Sequence, residues 1–245
     1  MSLSPLGASR SLAAVFSPIK SGGLVDEVSR RIELAVETGL LASGQRLPNE
    51  AELAAALGVS AVTTREALSH LRARGVIRTT RGRSGGSFIA DNALPSRDRA
   101  LERLREFSRV QLADLGLHYR AIAVACAGVA ARRSDAADME SLRSYIRPEN
   151  DDDPLAWRLA DSEFLLEVAA IARSARLARE LLRIQAEYGP VTLLPFADGD
   201  FREQSAKLRE RLAEAIEIHD GEQAELRTKD LVSALTDWLL AERGR

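Results

Sequence analysis

The sequence predicts a mainly α chain: a small domain of three helices and a β-hairpin, followed by an all-α helical bundle. Three observations carry this. Apolar residues recur at helical spacing through most of the chain from Leu24 onward. Two short β-rich runs, VIRTT and GSFIA, flank a glycine-rich turn, RGRSG, and read as a hairpin. Beyond about residue 105 no strand alternation survives, and aromatic residues make up only 4% of a chain rich in Ala and Leu.

The totals set bounds on function. The 245 residues are 45% hydrophobic and 29% charged, a globular composition with length for one large domain or two small ones. A net charge of −2 gives no global basic signature, so a nucleic-acid partner must be met by a local patch. One cysteine, Cys126 in AIAVACAGVAA, excludes an intramolecular disulfide and reads as a small buried hydrophobe. No apolar run is expected to approach the roughly 20 residues of a membrane helix. The LAAVF core of the first twenty residues is too short for a secretory signal. Residues 1–20 therefore read as a flexible arm of a cytoplasmic protein.

The first helix comes from LVDEVSRRIELAVETGLL, where Leu24, Val28, Ile32, Ala35 and Val36 share a face. The second follows LPN: Asn49 caps it and Glu52, three residues on, completes a capping box. Leu53, Ala54 and Leu57 face the core, and Gly58 suits the exit. Ser60 caps the third helix, with Thr64, Ala67, Leu68 and Leu71 on its packed side. Gly75 ends it, and the hairpin follows. This order is the winged helix-turn-helix plan, placed at 21–92. Residues 93–105 read as a linker running into a helix. The helical domain, 106–245, has runs at about 111–133, 136–147, 154–170, 174–187, 202–219 and 222–242. PENDDDP at 148–154 and EYGPVTLLPFADGD at 187–200 break the array.

In that plan the third helix lies in a DNA major groove. Its first turn, SAVTTR, is poor in strong helix formers, which fits selection for what it shows a groove. Short side chains permit close approach. Ser60 and Thr63, with the free N–H groups of the helix start, suit a phosphate, and the methyls of Val62 suit a thymine. Arg65 lies opposite Leu68 and Leu71 and can take guanine O6 and N7 together. Residues 65–83 hold six arginines, Arg72, Arg81 and Arg83 among them, against one acid, Glu66. Gly82, at the hairpin tip, permits close backbone approach. Ser60, Val62, Thr63, Arg65, Arg72, Arg81, Gly82 and Arg83 are the candidate DNA-binding residues.

The stretch LPNEAELAAALGVSAVTTREALSHLRARGVIRTTRGRSGGSFI resembles the winged-helix domain of GntR-family bacterial transcription regulators, and the helical remainder resembles the FadR-type branch with its all-helical FCD effector domain. The resemblance implies a ligand-responsive regulator, most often a repressor, that binds a palindromic double-stranded DNA operator as a homodimer. It implies no enzyme. Arg65 matches a family arginine, whereas Ala51 and Ala61 stand where relatives carry arginines that touch DNA.

Many domains of this branch resemble metal sites, with an aspartate and a histidine one helical turn apart and two later histidines. Asp161 in ADSEFLLEVAA matches the aspartate. Leu165 stands at the first histidine position, Arg209 near the second, and Asp230 or Leu231 at the third. The chain's three histidines, His70, His118 and His219, lack the spacing. We therefore expect neither metal nor other cofactor, and either an acyl or carboxylate effector or a cavity packed shut. Asp161, Arg209 and His118 are the candidate effector residues, with a structural role the alternative for His118.

Two competing readings have sequence support. GRSGG satisfies G-x-S-x-G and nominates Ser84 as a hydrolase nucleophile, but a strand-like segment follows where that elbow requires a helix. A helical protein-interaction module is the other.

Overall fold

Capping chemistry sets the second and third N-terminal helices where the sequence predicts them. Residues 16, 19, 23–41, 43–80, 82, 85–90 and 96–244 are described by the computed structural model. The chain divides into two units, Met1–Leu94 and Pro95–Arg245. In the first unit α1 (Leu24–Glu37) buries Val28, Ile32, Ala35 and Val36, while Leu24 is exposed at its start. Helix α2 (Glu50–Leu57) has the full capping box: Glu52 N donates to Asn49 Oδ1 at 2.9 Å, and Asn49 N to the Glu52 carboxylate at 2.9 Å. Gly58 closes it at φ 66°, a left-handed conformation that glycine adopts without a Cβ clash.

Helix α3 (Ala61–Ala73) starts where Thr63 N donates to Ser60 Oγ at 3.0 Å. Its buried face is Thr64, Ala67, Leu68 and Leu71, packed on α1. Strands β1 (Ile77–Thr80) and β2 (Gly86–Ile89) pair antiparallel in the register Ile77↔Ile89 to Thr80↔Gly86. Leu47 N donates to Ser87 O and Ile89 N to Gln45 O, both at 2.9 Å, so residues 45–47 extend the hairpin along β2. Of the expected flexible arm, Phe16 is buried and Ile19 N donates to Leu57 O at 2.8 Å. That end is held by apolar burial and a backbone bond, and most of 1–20 lies outside the described residues.

The second unit contains α4 (Arg97–Glu106), α5 (Arg109–Ala131), α6 (Ala136–Arg143), α7 (Pro154–Ile171), α8 (Ala175–Tyr188), α9 (Leu193–Phe196), α10 (Gly199–Glu217) and α11 (Gly221–Arg243). Helices α5 and α11 pack closely along their length. A Cβ at Gly116 would collide with the Thr236 side chain, and one at Gly128 with that of Glu225. Helix α5 also packs on α7 and α8.

Three segments differ from expectation. Most of the supposed linker 93–105 is α4: Ser96 caps it, and Ala100 and Leu104, one turn apart, are buried. The break at 187–200 holds a 3-10 turn, Gly189–Thr192, and α9, whose LLPF is entirely buried. By length and composition α5 is apolar enough to cross a membrane, contrary to the expectation that no run is. Here it serves as a central helix of the bundle, with Leu112, Leu115, Tyr119, Ala123, Cys126 and Ala127 buried.

Candidate nucleic-acid interface and effector pocket

With Thr64, Ala67, Leu68 and Leu71 fixed inward, the opposite face of α3 presents Ala61, Val62, Arg65, Ser69 and Arg72 to solvent. Val62 is 61% exposed, an apolar side chain turned mostly to solvent. The Ser60 and Thr63 hydroxyls hydrogen-bond each other at 2.8 Å, so both are already engaged at the cap. The Arg65 guanidinium meets the Glu50 carboxylate, with Nε at 3.1 Å and Nη2 at 3.0 Å from one oxygen. Arg72 Nη1 donates to Thr79 Oγ1 at 3.3 Å, tying α3 to β1. Arg78 lies over the Phe88 ring, 5.3 Å from its centre. Gly82 is exposed at φ 110°. Arg81, Arg83 and Ser84 lie outside the described residues. The segment Gly86–Ile89 after Ser84 is strand, not the helix a nucleophile elbow needs.

The structure thus brings Val62, Arg65 and Arg72 to one helix face, while Ser60 and Thr63 sit together at the capped start of the same helix. It adds Arg46, which sequence reasoning missed. Arg46 Nη2 donates to Gly85 O at 2.8 Å, and a Cβ at Gly86 would lie 2.9 Å from Arg46 Nε. An exposed cation therefore sits at the base of the wing. The available signal was a lone arginine just before the LPNE cap; its partner, forty residues on, is set by the sheet.

In the second unit a small cavity, with room for about one water, lies among α5, α7, α10 and α11. Tyr119, Asp161, Leu165, Ser205 and Leu231 contribute to its wall. Arg209, one turn beyond Ser205 on α10, is fully buried. Its Nη1 donates to Tyr145 O at 2.8 Å, and its guanidinium lies 5.2 Å from the centre of the Trp157 ring. Its Nε and Nη2 have no hydrogen-bond partner among the described residues. Burial pushes the Asp161 carboxyl above its ordinary value, opposed chiefly by Arg209. Burial likewise lowers the Arg209 guanidinium to about 10, against the pull of Asp161. The Ser205 hydroxyl approaches Asp161, but the geometry does not close a hydrogen bond.

Asp161 and Arg209 are thus electrostatic partners in the bundle interior. His118 is not with them: it lies on the surface, Nε2 3.3 Å from Glu180, because its position on α5 turns toward α8. His219 closes α10 at φ 59°, its Nδ1 2.7 Å from Ala131 O. A divalent ion of the kind the family resemblance implies does not fit this set. One carboxylate faces Leu165 and Leu231, and a guanidinium already supplies the positive charge; Asp230 pairs outward with Arg227 at 3.5 Å.

Comparison with known proteins agrees with both halves. Residues 24–86 match the family model of bacterial regulatory proteins, gntR family, and residues 114–234 match the FCD domain. The chain is 40% identical over 163 residues to the HTH-type transcriptional regulator RmpR of Mycobacterium gastri, covering 66% of this chain and 60% of that one. It is 44% identical over 66 residues to the L-lactate dehydrogenase operon regulatory protein of Escherichia coli K12, covering 27% of this chain and 25% of that one. The chain thus spans less than two thirds of these relatives. The solved structure of E. coli McbR/YncC covers 91% of this chain and 99% of its own at a TM-score of 0.52 and 15% identity, a likeness of fold.

Proposed function

The chain belongs to the GntR family of bacterial regulatory proteins and carries an FCD domain, and on that premise we propose that it represses transcription as a homodimer bound to a palindromic DNA operator. The family is one of regulators, not enzymes. The observation that carries the reading is the exposed face of α3, a capped helix with Val62 and Arg65 outward, followed by a hairpin against whose turn Arg46 is docked. Val62 suits a thymine methyl and Arg65 a guanine edge, while Arg72, Arg81 and Arg83 supply charge for phosphates. Two-fold symmetry of the dimer matches the palindrome.

The helical unit binds the effector, an acyl or carboxylate compound with its acidic group toward Arg209, without a divalent ion; the cavity, with room for about one water, must open to admit it. Binding changes DNA affinity only as far as it favours one arrangement of the dimer over another. The protein acts in the cytoplasm.

Selection of bound duplexes from a random-sequence DNA library tests this. The expected result is a two-fold symmetric motif with half-sites spaced by about one helical turn, ~10 bp, bound less tightly as salt rises. A library that stays flat overturns it.

A further inference from the structure

Arg65 does not hang free from α3. Its side chain is 64% exposed and Glu50, 38% exposed, holds it through Nε and Nη2. Exposed ion pairs contribute little to stability, so the consequence of this one lies elsewhere. Glu50 is the first residue of α2, and the capping box of Asn49 and Glu52 fixes the backbone there. A rigid anchor thus meets a long, flexible side chain whose ordering costs entropy. A guanidinium has two forked edges. Glu50 occupies the Nε–Nη2 edge, which leaves Nη1 and the second Nη2 hydrogen for another partner. Arg72, by contrast, is held by a neutral hydroxyl.

Resting on the DNA-binding reading above, we infer that Glu50 is a specificity-determining positioning residue: it presents the Nη1–Nη2 edge of Arg65 to a base, and its own negative charge penalises sequence-independent approach to phosphates. A bidentate guanine contact needs this kind of preset fork. A carboxylate beside it opposes settling on the backbone, where any sequence would serve. Discrimination is gained from a repulsive element as well as an attractive one.

The test uses the full chain and duplexes selected by the parent from a random library, with binding also measured on a duplex lacking the motif. Glu50→Ala is expected to lower discrimination by about tenfold at the base pair that Arg65→Ala flattens, and to tighten binding to the motif-free duplex. Glu50→Gln keeps an acceptor for Nε but not the charge; it is expected to keep part of the discrimination while tightening motif-free binding. Arg65→Ala combined with Glu50→Ala should lose no more discrimination than Arg65→Ala alone. Parental discrimination and parental motif-free affinity in both Glu50 variants overturn the proposal. If Glu50→Ala fails to fold, unchanged motif-free affinity in Glu50→Gln overturns it. A parent that selects no motif overturns the DNA-binding reading, and this inference with it.

Discussion

The α3 face and the interior of the helical unit treat arginine in opposite ways. On α3, Arg65 is solvated and meets Glu50 in a pair that water and salt can break. Inside the bundle, Arg209 is fully buried and held by one carbonyl, one indole ring and the field of Asp161. An exposed guanidinium held at one edge keeps its other edge open to a base, which a reading head requires. A buried one is committed to the fold, and any ligand that addresses it must do so without water. Substitution should therefore separate the two: stability for Arg209, recognition for Arg65.

The largest expected effect is Arg209→Ala, which removes the packing on Trp157 and leaves Asp161 without its chief opposing charge. Because Arg209 is the chief rather than the sole positive charge acting on Asp161, the loss should cost about 3 kcal/mol in chemical denaturation; a cost under about 0.5 kcal/mol would erase the contrast. Changing pH sharpens the same site. Burial holds the Asp161 carboxyl above its unfolded value. Stability that is complete below the ordinary carboxylate range, about pH 4, is therefore lost as pH rises through the raised folded value. Asp161→Asn lacks that loss, so its stability relative to the parent should improve from acid toward neutral pH. A gap that moves toward the parent would mean that attraction to Arg209 outweighs burial.

Next in size is Arg65→Ala, expected to cost about 1–3 kcal/mol in affinity for a selected duplex while the denaturation midpoint stays near that of the parent. Ser60→Ala comes third. Loss of the cap should cost about 1 kcal/mol of stability, and it links the two properties because the same cap sets the first turn of α3. Smallest is His118→Ala, on the surface beside Glu180, with a change under about 0.5 kcal/mol and no change in effector response by calorimetry.

These differences also mark what a sequence can reveal. Asn49 with Glu52, Ser60 with Thr63, and the 64, 67, 68, 71 face of α3 are local: each signal lies within about two turns, and all are present in the structure. Helix α4 was hidden because charge dominates RDRALERLRE, leaving only Ala100 and Leu104 as its inward pair. The LLPF segment was hidden by its flanking Gly and Pro, although tertiary burial orders it. Within KLRERL, Arg209 has the look of a solvated residue; its burial depends on Trp157 and Asp161, about fifty residues away. Arg46 and Glu50 likewise acquire their roles from partners that lie elsewhere in the chain, Gly85 and Arg65.

The central claim is that Arg65 reads a base from the outward face of α3. Methylation interference at guanine N7 on a selected duplex tests it most directly, because that atom is one half of the proposed bidentate contact. The account predicts one guanine in each half-site whose methylation blocks the parent and leaves the residual binding of Arg65→Ala unchanged. Equal interference for both proteins at every guanine would contradict it.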